Sequence, residues 1–243
     1  MNIVKEIKKN NIPSLKEFFL ASFLISQRLS PYISSLYVIK GTKPNKITLH
    51  MIYSGILGAL LFSLPNIYSK IVGAMLIHLW FILDCSDGEV ARYTEQFSKY
   101  GKELDFMAHL INHPLFGMSL FFSLAQLDKY NLYYLSLLIL FSNLLDYLTR
   151  NLNTLYIIIN LKSTKASNLS NNSTSWNLKE VLLFISSIFM VYPNFILFGV
   201  LFYFVDYTIG TDVLYIYLWM NILVTLIINI RGIVQLVKKF YIN

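Results

Sequence analysis

The sequence predicts an all-α integral membrane protein, with an N-terminal amphipathic interfacial helix followed by six transmembrane helices. Three observations predict it. Only 14% of the 243 residues are charged and 56% are hydrophobic, with a mean hydropathy of +0.55, whereas a soluble domain carries roughly 25% charge. Charge-free stretches recur at close to the ~20 residues a helix needs to cross a hydrocarbon core. The 20 Lys and Arg outnumber the 13 Asp and Glu, giving a formal charge of +7, and they are spread unevenly among the segments between those stretches. A soluble enzyme is excluded on these grounds. The single cysteine, Cys85, excludes an intrachain disulfide and any two-cysteine metal motif.

Residues 1–44 are expected to form a cytoplasmic N-terminal segment. Its basic start (Lys5, Lys8, Lys9, Lys16) lacks the apolar region and small-residue cleavage site of a secretory signal. Pro13 to Ser30 reads as the interfacial helix, with Leu15, Phe18, Phe19 and Leu29 toward lipid. The apolar run Phe18 to Ile39 is long enough for a further span. Against that, Arg28 interrupts it, Pro31 is expected to break it, and spanning would carry Lys5, Lys8, Lys9 and Lys16 to the far side.

Residues 45–243 then form the six-helix domain. Ile47 to Leu64, Phe106 to Leu127, Val181 to Val205 and Val213 to Ile230 are charge-free spans. Ile71 to Leu83 is too short alone, and Tyr130 to Leu161 contains Asp146 and Arg150, so both place ionisable groups in or beside the membrane. A group at that depth is a functional-site hypothesis by default. Ser163 to Ser175, rich in Ser, Thr and Asn, is expected as a flexible cytoplasmic loop. With six spans, 18 of the 20 Lys and Arg fall on one side, and Lys70 and Lys129 fall on the other. Both termini are therefore expected in the cytoplasm, in a multi-pass protein of the cytoplasmic membrane. The charge excess reports orientation, not nucleic-acid binding.

Asp84, Asp87, Gly88, Ala91 and Arg92 form one stripe of the helix that continues Ile71 to Leu83, and Asp105 and His109 lie one turn apart at the start of the next. Carboxylates one turn apart repel in a low-dielectric setting unless a cation offsets them, which points to a divalent metal. Oxygen ligands favour Mg2+ or Mn2+. Gly88 and Gly101 leave room for a ligand to approach the backbone. Asn112 and His113 share the His109 face, either as a relay or acceptor-binding surface or as bonds to neighbouring helices. In the fourth span, Asn143, Asp146 and Arg150 face one side, with Asn153 and Thr154 above. Arg150 either pairs with Asp146 or meets an anionic acceptor. Asp206 and Asp212, which bracket Gly210, are expected to be solvated, His50 and His78 to bond locally, and Cys85 to pack.

The run LDCSDGEVARYTEQFSKYGKELDFMAH resembles the signature of the CDP-alcohol phosphotransferase family, D-x2-D-G-x2-A-R-x8-G-x3-D-x3-D. Asp84, Asp87, Gly88, Ala91, Arg92, Gly101 and Asp105 match at full spacing, and His109 stands at the last Asp position. Pro44, Asn45 and Thr48 match the family's P-N-x-x-T entry to its first span. The resemblance implies transfer of a substituted phosphate from a CDP-alcohol donor to an acceptor hydroxyl on a lipid, small alcohol or glycan, releasing CMP, in phospholipid or related synthesis. It implies metal on Asp84, Asp87 and Asp105, with His109 as a further ligand. Asn45, Thr48, Gly88, Ala91, Arg92 and Gly101 would border the donor, Arg150 the acceptor, and His109 with Asp105 would do the catalytic work. Membrane lipids and a second copy of the chain are the implied partners. His109 is open to three roles: base or ligand, mark of a silent site, or packing histidine. A catalytically silent nucleotide- or lipid-binding protein is accordingly the alternative function, while the ordered motif argues against a transporter.

Overall fold

The computed structural model describes residues 3–10, 20–163 and 178–242, apart from the side chains at 153, 156–163, 178–180 and 239–242. The segment Pro13 to Phe19, including Leu15 and Phe18, lies outside these residues, as do residues 164–175 of the expected loop and the side chain of Asn153. Among the described residues the regular structure is helical: α1 (Ile3–Asn10), α2 (Gln27–Ile39), α3 (Pro44–Ser63), α4 (Ile67–Thr94), α5 (Gly101–Ala125), α6 (Leu132–Ser163), α7 (Leu178–Met190), α8 (Tyr192–Ile209) and α9 (Val213–Ile242). A wide π-turn at Ser22–Ser26 precedes α2.

Among the described residues, five helices are long and apolar enough to cross a membrane, within 44–63, 67–94, 132–152, 192–209 and 213–238, and Val181–Met190 is a shorter apolar helix. The 25 residues of α5 have the length. Lys102, Glu103, Asp105, His109, Asn112 and His113 lower its apolarity, and of these Asp105, His109 and His113 lie at the site.

Helix α2 differs from expectation in extent and in polarity. It runs through Pro31, which lies inside the helix five residues beyond the end of the wide turn, so the expected break does not occur there. Its outward face is apolar, with Leu29, Tyr32, Leu36 and Ile39 exposed, and its inward face is a row of buried serines, Ser30, Ser34 and Ser35. The serines meet a buried carboxylate: Ser30 and Ser34 hydroxyls donate to Glu89 of α4 at 2.7 and 2.6 Å. Polar groups thus dock α2 onto α4 while its apolar side faces outward.

The expected continuous span Val181 to Val205 is broken. Val191 is extended, and α8 begins with Pro193 in its first turn, where a missing N–H removes no helical bond. Asp206 is also corrected. It is buried, and its carboxylate accepts from the backbone N–H groups of Val213 and Leu214, both at 2.9 Å, so it caps α9 rather than meeting solvent. Asp212 is the exposed one, taking the hydroxyl of Tyr130 and lying 3.5 Å from Lys129.

Helices α3 and α4 touch backbone to backbone. A Cβ on Gly73 would stand 2.4 Å from the Phe62 backbone nitrogen and 2.7 Å from the Gly58 carbonyl oxygen. Phe62, Ile77, Trp80, Phe116, Leu120 and Leu124 pack around that contact. Gly73→Ala is expected to destabilise the protein by about 1–3 kcal/mol through overpacking, measured as thermal unfolding in detergent. Gly232→Ala, where a Cβ meets only ordinary contact, is expected to be neutral or slightly stabilising.

Candidate active site

The site forms where the C-terminal part of α4 meets the N-terminal part of α5, roofed by α6 and α8. Asp84 and Asp105 converge on one ring: His109 Nε2 lies 3.2 Å from Asp84 Oδ1 and 3.5 Å from Asp105 Oδ1. These three side chains offer ligand atoms all within 4.8 Å of one another. Trp80 stands edge-on to the His109 ring at 4.9 Å between centroids and fixes its plane.

Asp87, placed by the sequence on the same stripe, takes a different partner. Its Oδ2 accepts from the Thr48 hydroxyl of α3 at 2.7 Å, while its charge remains within reach of Asp84 and Asp105. The remaining motif residues line up along the same helix ends. The Arg92 guanidinium lies over Gly88, where a Cβ would stand 3.1 Å from one of its nitrogens. Asn45 Oδ1 lies beside Gly101, 3.8 Å from where a Cβ would be. Ala91 is half-buried. An open cleft of about 580 Å³ adjoins them, lined by Lys40, Lys43, Asn45, Lys46 and Leu104.

On the other side of His109 the polar groups continue. His109 Nδ1 meets His113 Nε2 at 3.0 Å, and Arg150 reaches His113 Nδ1. Arg150 Nε also donates to Asp146 Oδ2 at 2.9 Å, so the expected pair on α6 forms. His113 is stacked on Tyr192, with centroids 3.8 Å apart, and the Tyr192 hydroxyl bonds to Asp146. These residues, with Asp84 and Trp80, line an open cleft of about 470 Å³. Asn112 is separated from them: it is fully buried, with its amide donating to the Ala108 carbonyl and its oxygen turned toward Gly55. His50 bonds to the Tyr37 hydroxyl and His78 to the Ala74 carbonyl, as expected of local bonding. Tyr192 and Trp80 were not legible as site residues. For Tyr192 the available signal was the YPN break in an apolar run, which starts a helix at the site.

These features define a helical membrane protein with a carboxylate and imidazole cluster at the end of its helices. The chain matches the model of the CDP-alcohol phosphatidyltransferase family over residues 41–233, and it belongs to that family. A search of curated proteins finds no match to the chain. The family transfers a substituted phosphate from a CDP-alcohol in lipid synthesis and is generally metal-dependent.

The residues present fit a divalent ion. Asp105 Oδ1 is buried and accepts no hydrogen bond, although it faces Asp84 and His109. Two carboxylates and one imidazole suit Mg2+ or Mn2+, with the imidazole tilting preference toward the transition metal. Mn2+ titration followed by electron paramagnetic resonance is expected to give one saturable site that binds more tightly than Mg2+ competes for it. Asp84→Asn should abolish that site, and Thr48→Val should weaken it by about 10–100-fold through loss of support for Asp87. Tight occupancy by two Mg2+ ions would overturn the expectation.

Proposed function

We propose that the chain is an active, divalent-metal-dependent CDP-alcohol phosphotransferase. The observation that carries this is the convergence of Asp84, Asp105 and His109 at ligand distance, at the motif positions, on a cleft that ends at Arg150. Residues 45–243 make the catalytic domain and 1–44 an interfacial segment, with six spans counting α5. Both termini and the site face the cytoplasm. The distribution of Lys and Arg supports that orientation.

The donor lies against the ends of α3, α4 and α5. Asn45, Gly88, Ala91 and Gly101 border its nucleotide, Thr48 holds Asp87 in place, and Arg92 meets its phosphates. Lys40, Lys43 and Lys46 draw an anionic donor toward this edge. Asp84, Asp87 and Asp105 would hold the divalent ion, which would offset the charge of the donor diphosphate and of the leaving CMP. The acceptor occupies the cleft between His109 and Arg150, with an anionic group on the guanidinium. Its hydroxyl oxygen attacks the phosphorus that carries the alcohol. A new P–O bond forms, the phosphoanhydride bond to CMP breaks, and the hydroxyl proton passes to His109 Nε2. Asp105, next to that nitrogen, stabilises the imidazolium formed.

The test is CMP release from purified protein with Mg2+ or Mn2+, pairing CDP-diacylglycerol, CDP-glycerol, CDP-choline or a CDP-inositol donor with hydroxyl acceptors. CMP is expected from at least one pairing. His109→Ala should lower the rate by about 10²–10⁴-fold, the usual worth of a general base, and Asp105→Asn should abolish it. His109→Asp should lower activity, because the surrounding residues are matched to imidazole. Raised activity in that variant would mark the histidine as a defect. No CMP from any pairing, with CDP still bound, would assign the silent, nucleotide-binding role instead.

A further inference from the structure

Helices α2 and α3 are consecutive in the chain, yet each packs mainly on α4. Ser30 and Ser34 dock α2 there through Glu89, and the close glycine contact holds α3 there. Among the described residues, the side-chain hydrogen bond that joins α2 to α3 runs between the Tyr37 hydroxyl and His50 Nδ1, at 3.0 Å. The two helices therefore leave a groove between them of about 480 Å³. Leu76, Leu79 and Leu83 of α4 floor it, Leu36 of α2 stands on one wall, and the turn that carries Lys40 and Thr42 bounds one end.

The groove is sorted by polarity along its length. From Leu83 to Leu76 it follows about 10 Å of helix rise, and Ser54 at the deep end donates its hydroxyl to the Leu76 carbonyl at 2.8 Å. Tyr37 and His50 satisfy each other. What remains for a ligand is apolar surface in the depth and Lys40 and Lys46 at the turn. Among the described residues neither lysine lies within ion-pair distance of a carboxylate, and no acidic side chain lines the groove. A concave apolar slot that ends in two uncompensated cations differs from ordinary lipid-facing surface, such as Leu140 and Leu144 of α6, which are simply exposed.

We propose that this groove holds an anionic phospholipid of the bilayer, with its phosphate on Lys40 and Lys46 and one acyl chain laid over Leu83, Leu79 and Leu76. Lysine suits the place, because its stem covers apolar surface while its ammonium reaches the headgroup level. The groove is separate from both clefts of the active site. Lys43, Asn45 and Leu104 line the cleft beside the motif glycines and not the groove, and Asp84, His109 and Arg150 line the other cleft and not the groove. Lys40 and Lys46 stand on a rim that the groove shares with the first of these clefts. The lipid phosphate thus lies beside that cleft without filling it, and the chain occupies the gap between α2 and α3, which ties the N-terminal segment to the first span. This inference does not depend on the phosphotransfer function.

The test uses the full-length chain in phosphatidylcholine vesicles doped with phosphatidylglycerol that carries a photoreactive diazirine on one acyl chain. After illumination the label is expected on Leu76, Leu79 or Leu83. Unlabelled phosphatidylglycerol should compete for those positions, and additional phosphatidylcholine should not. The double variant Lys40→Gln, Lys46→Gln should need about 30-fold more phosphatidylglycerol for the same labelling, as expected for two lysines at a membrane surface. Leu79→Trp, which fills the slot and leaves the charges in place, should clear the label from Leu76 and Leu83 while Leu140 and Leu144 keep their background level. Thermal unfolding in detergent shows which variants fold. In the wild type, label spread over Leu140 and Leu144 as heavily as over the α4 leucines would overturn the proposal with no need for any variant. Equal competition by phosphatidylcholine would do the same, and so would undiminished labelling of the folded double variant. A diazirine-bearing CDP-diacylglycerol that marks these leucines in preference to phosphatidylglycerol would assign the groove to the tail of a lipid donor, which also overturns it.

Discussion

Two carboxylates brought from separate helices to a single imidazole set the terms for everything around them. At 4.8 Å or less, two such charges repel by about 3–4 kcal/mol at the effective dielectric of a protein surface, and the cost rises where lipid excludes water. The cluster therefore suits a cation, and the His109 imidazole between the two carboxylates is the nearest group that can offset them. Thr48 draws Asp87 aside to α3, so that a third charge is near without adding to the closest crowd. Trp80 blocks rotation of His109. Helices α3 and α4 also touch backbone to backbone at Gly58 and Gly73, toward the other end of the pair from Thr48 and Asp87.

The same economy governs the polar groups away from the site. A polar atom inside a membrane protein must find its partner in the protein, and here charged groups are used as joints. Lys70 is fully buried and donates to the Phe62 carbonyl at the end of α3 and to Ser123 of α5, at 2.9 and 2.8 Å, over the ring of Tyr203 in α8. Its charge sits where the α3 dipole is negative. Glu89 takes two serine hydroxyls from α2, and Asp206 takes two backbone N–H groups of α9. Each of these residues fastens two helices whose facing apolar surfaces offer no direction of their own.

Helix class, membrane character and the motif cluster were legible in the sequence, because apolar run length and residue spacing along one helix are local properties. Asp105 and His109 share a face by simple periodicity, and so do Asp146 and Arg150. What was not legible depends on which helix lies opposite. Nothing in the order of residues separates Asp84, which turns to α5, from Asp87, which turns to α3. Asp206 looks like a loop charge until the first turn of α9 is seen to fold over it. The serines of α2 look like ordinary interfacial polarity, and only the buried Glu89 explains why they face inward. Pro193 gave a local signal, since it cannot continue a helix from the residues before it, yet the consequence was tertiary: the break delivers Tyr192 onto His113.

The replacement of the last motif carboxylate by His109 changes more than charge. A carboxylate at that position only accepts, so it can serve as ligand or base whatever the proton positions of its neighbours. An imidazole serves at one nitrogen only if the other has a suitable partner. His109 therefore makes the cluster answerable to His113, and through it to a guanidinium on a different helix at the far end of the cleft. The packing around it is directional: Trp80 stands at the edge of the His109 ring, His113 lies 3.0 Å from its second nitrogen, and Tyr192 stacks on the His113 ring.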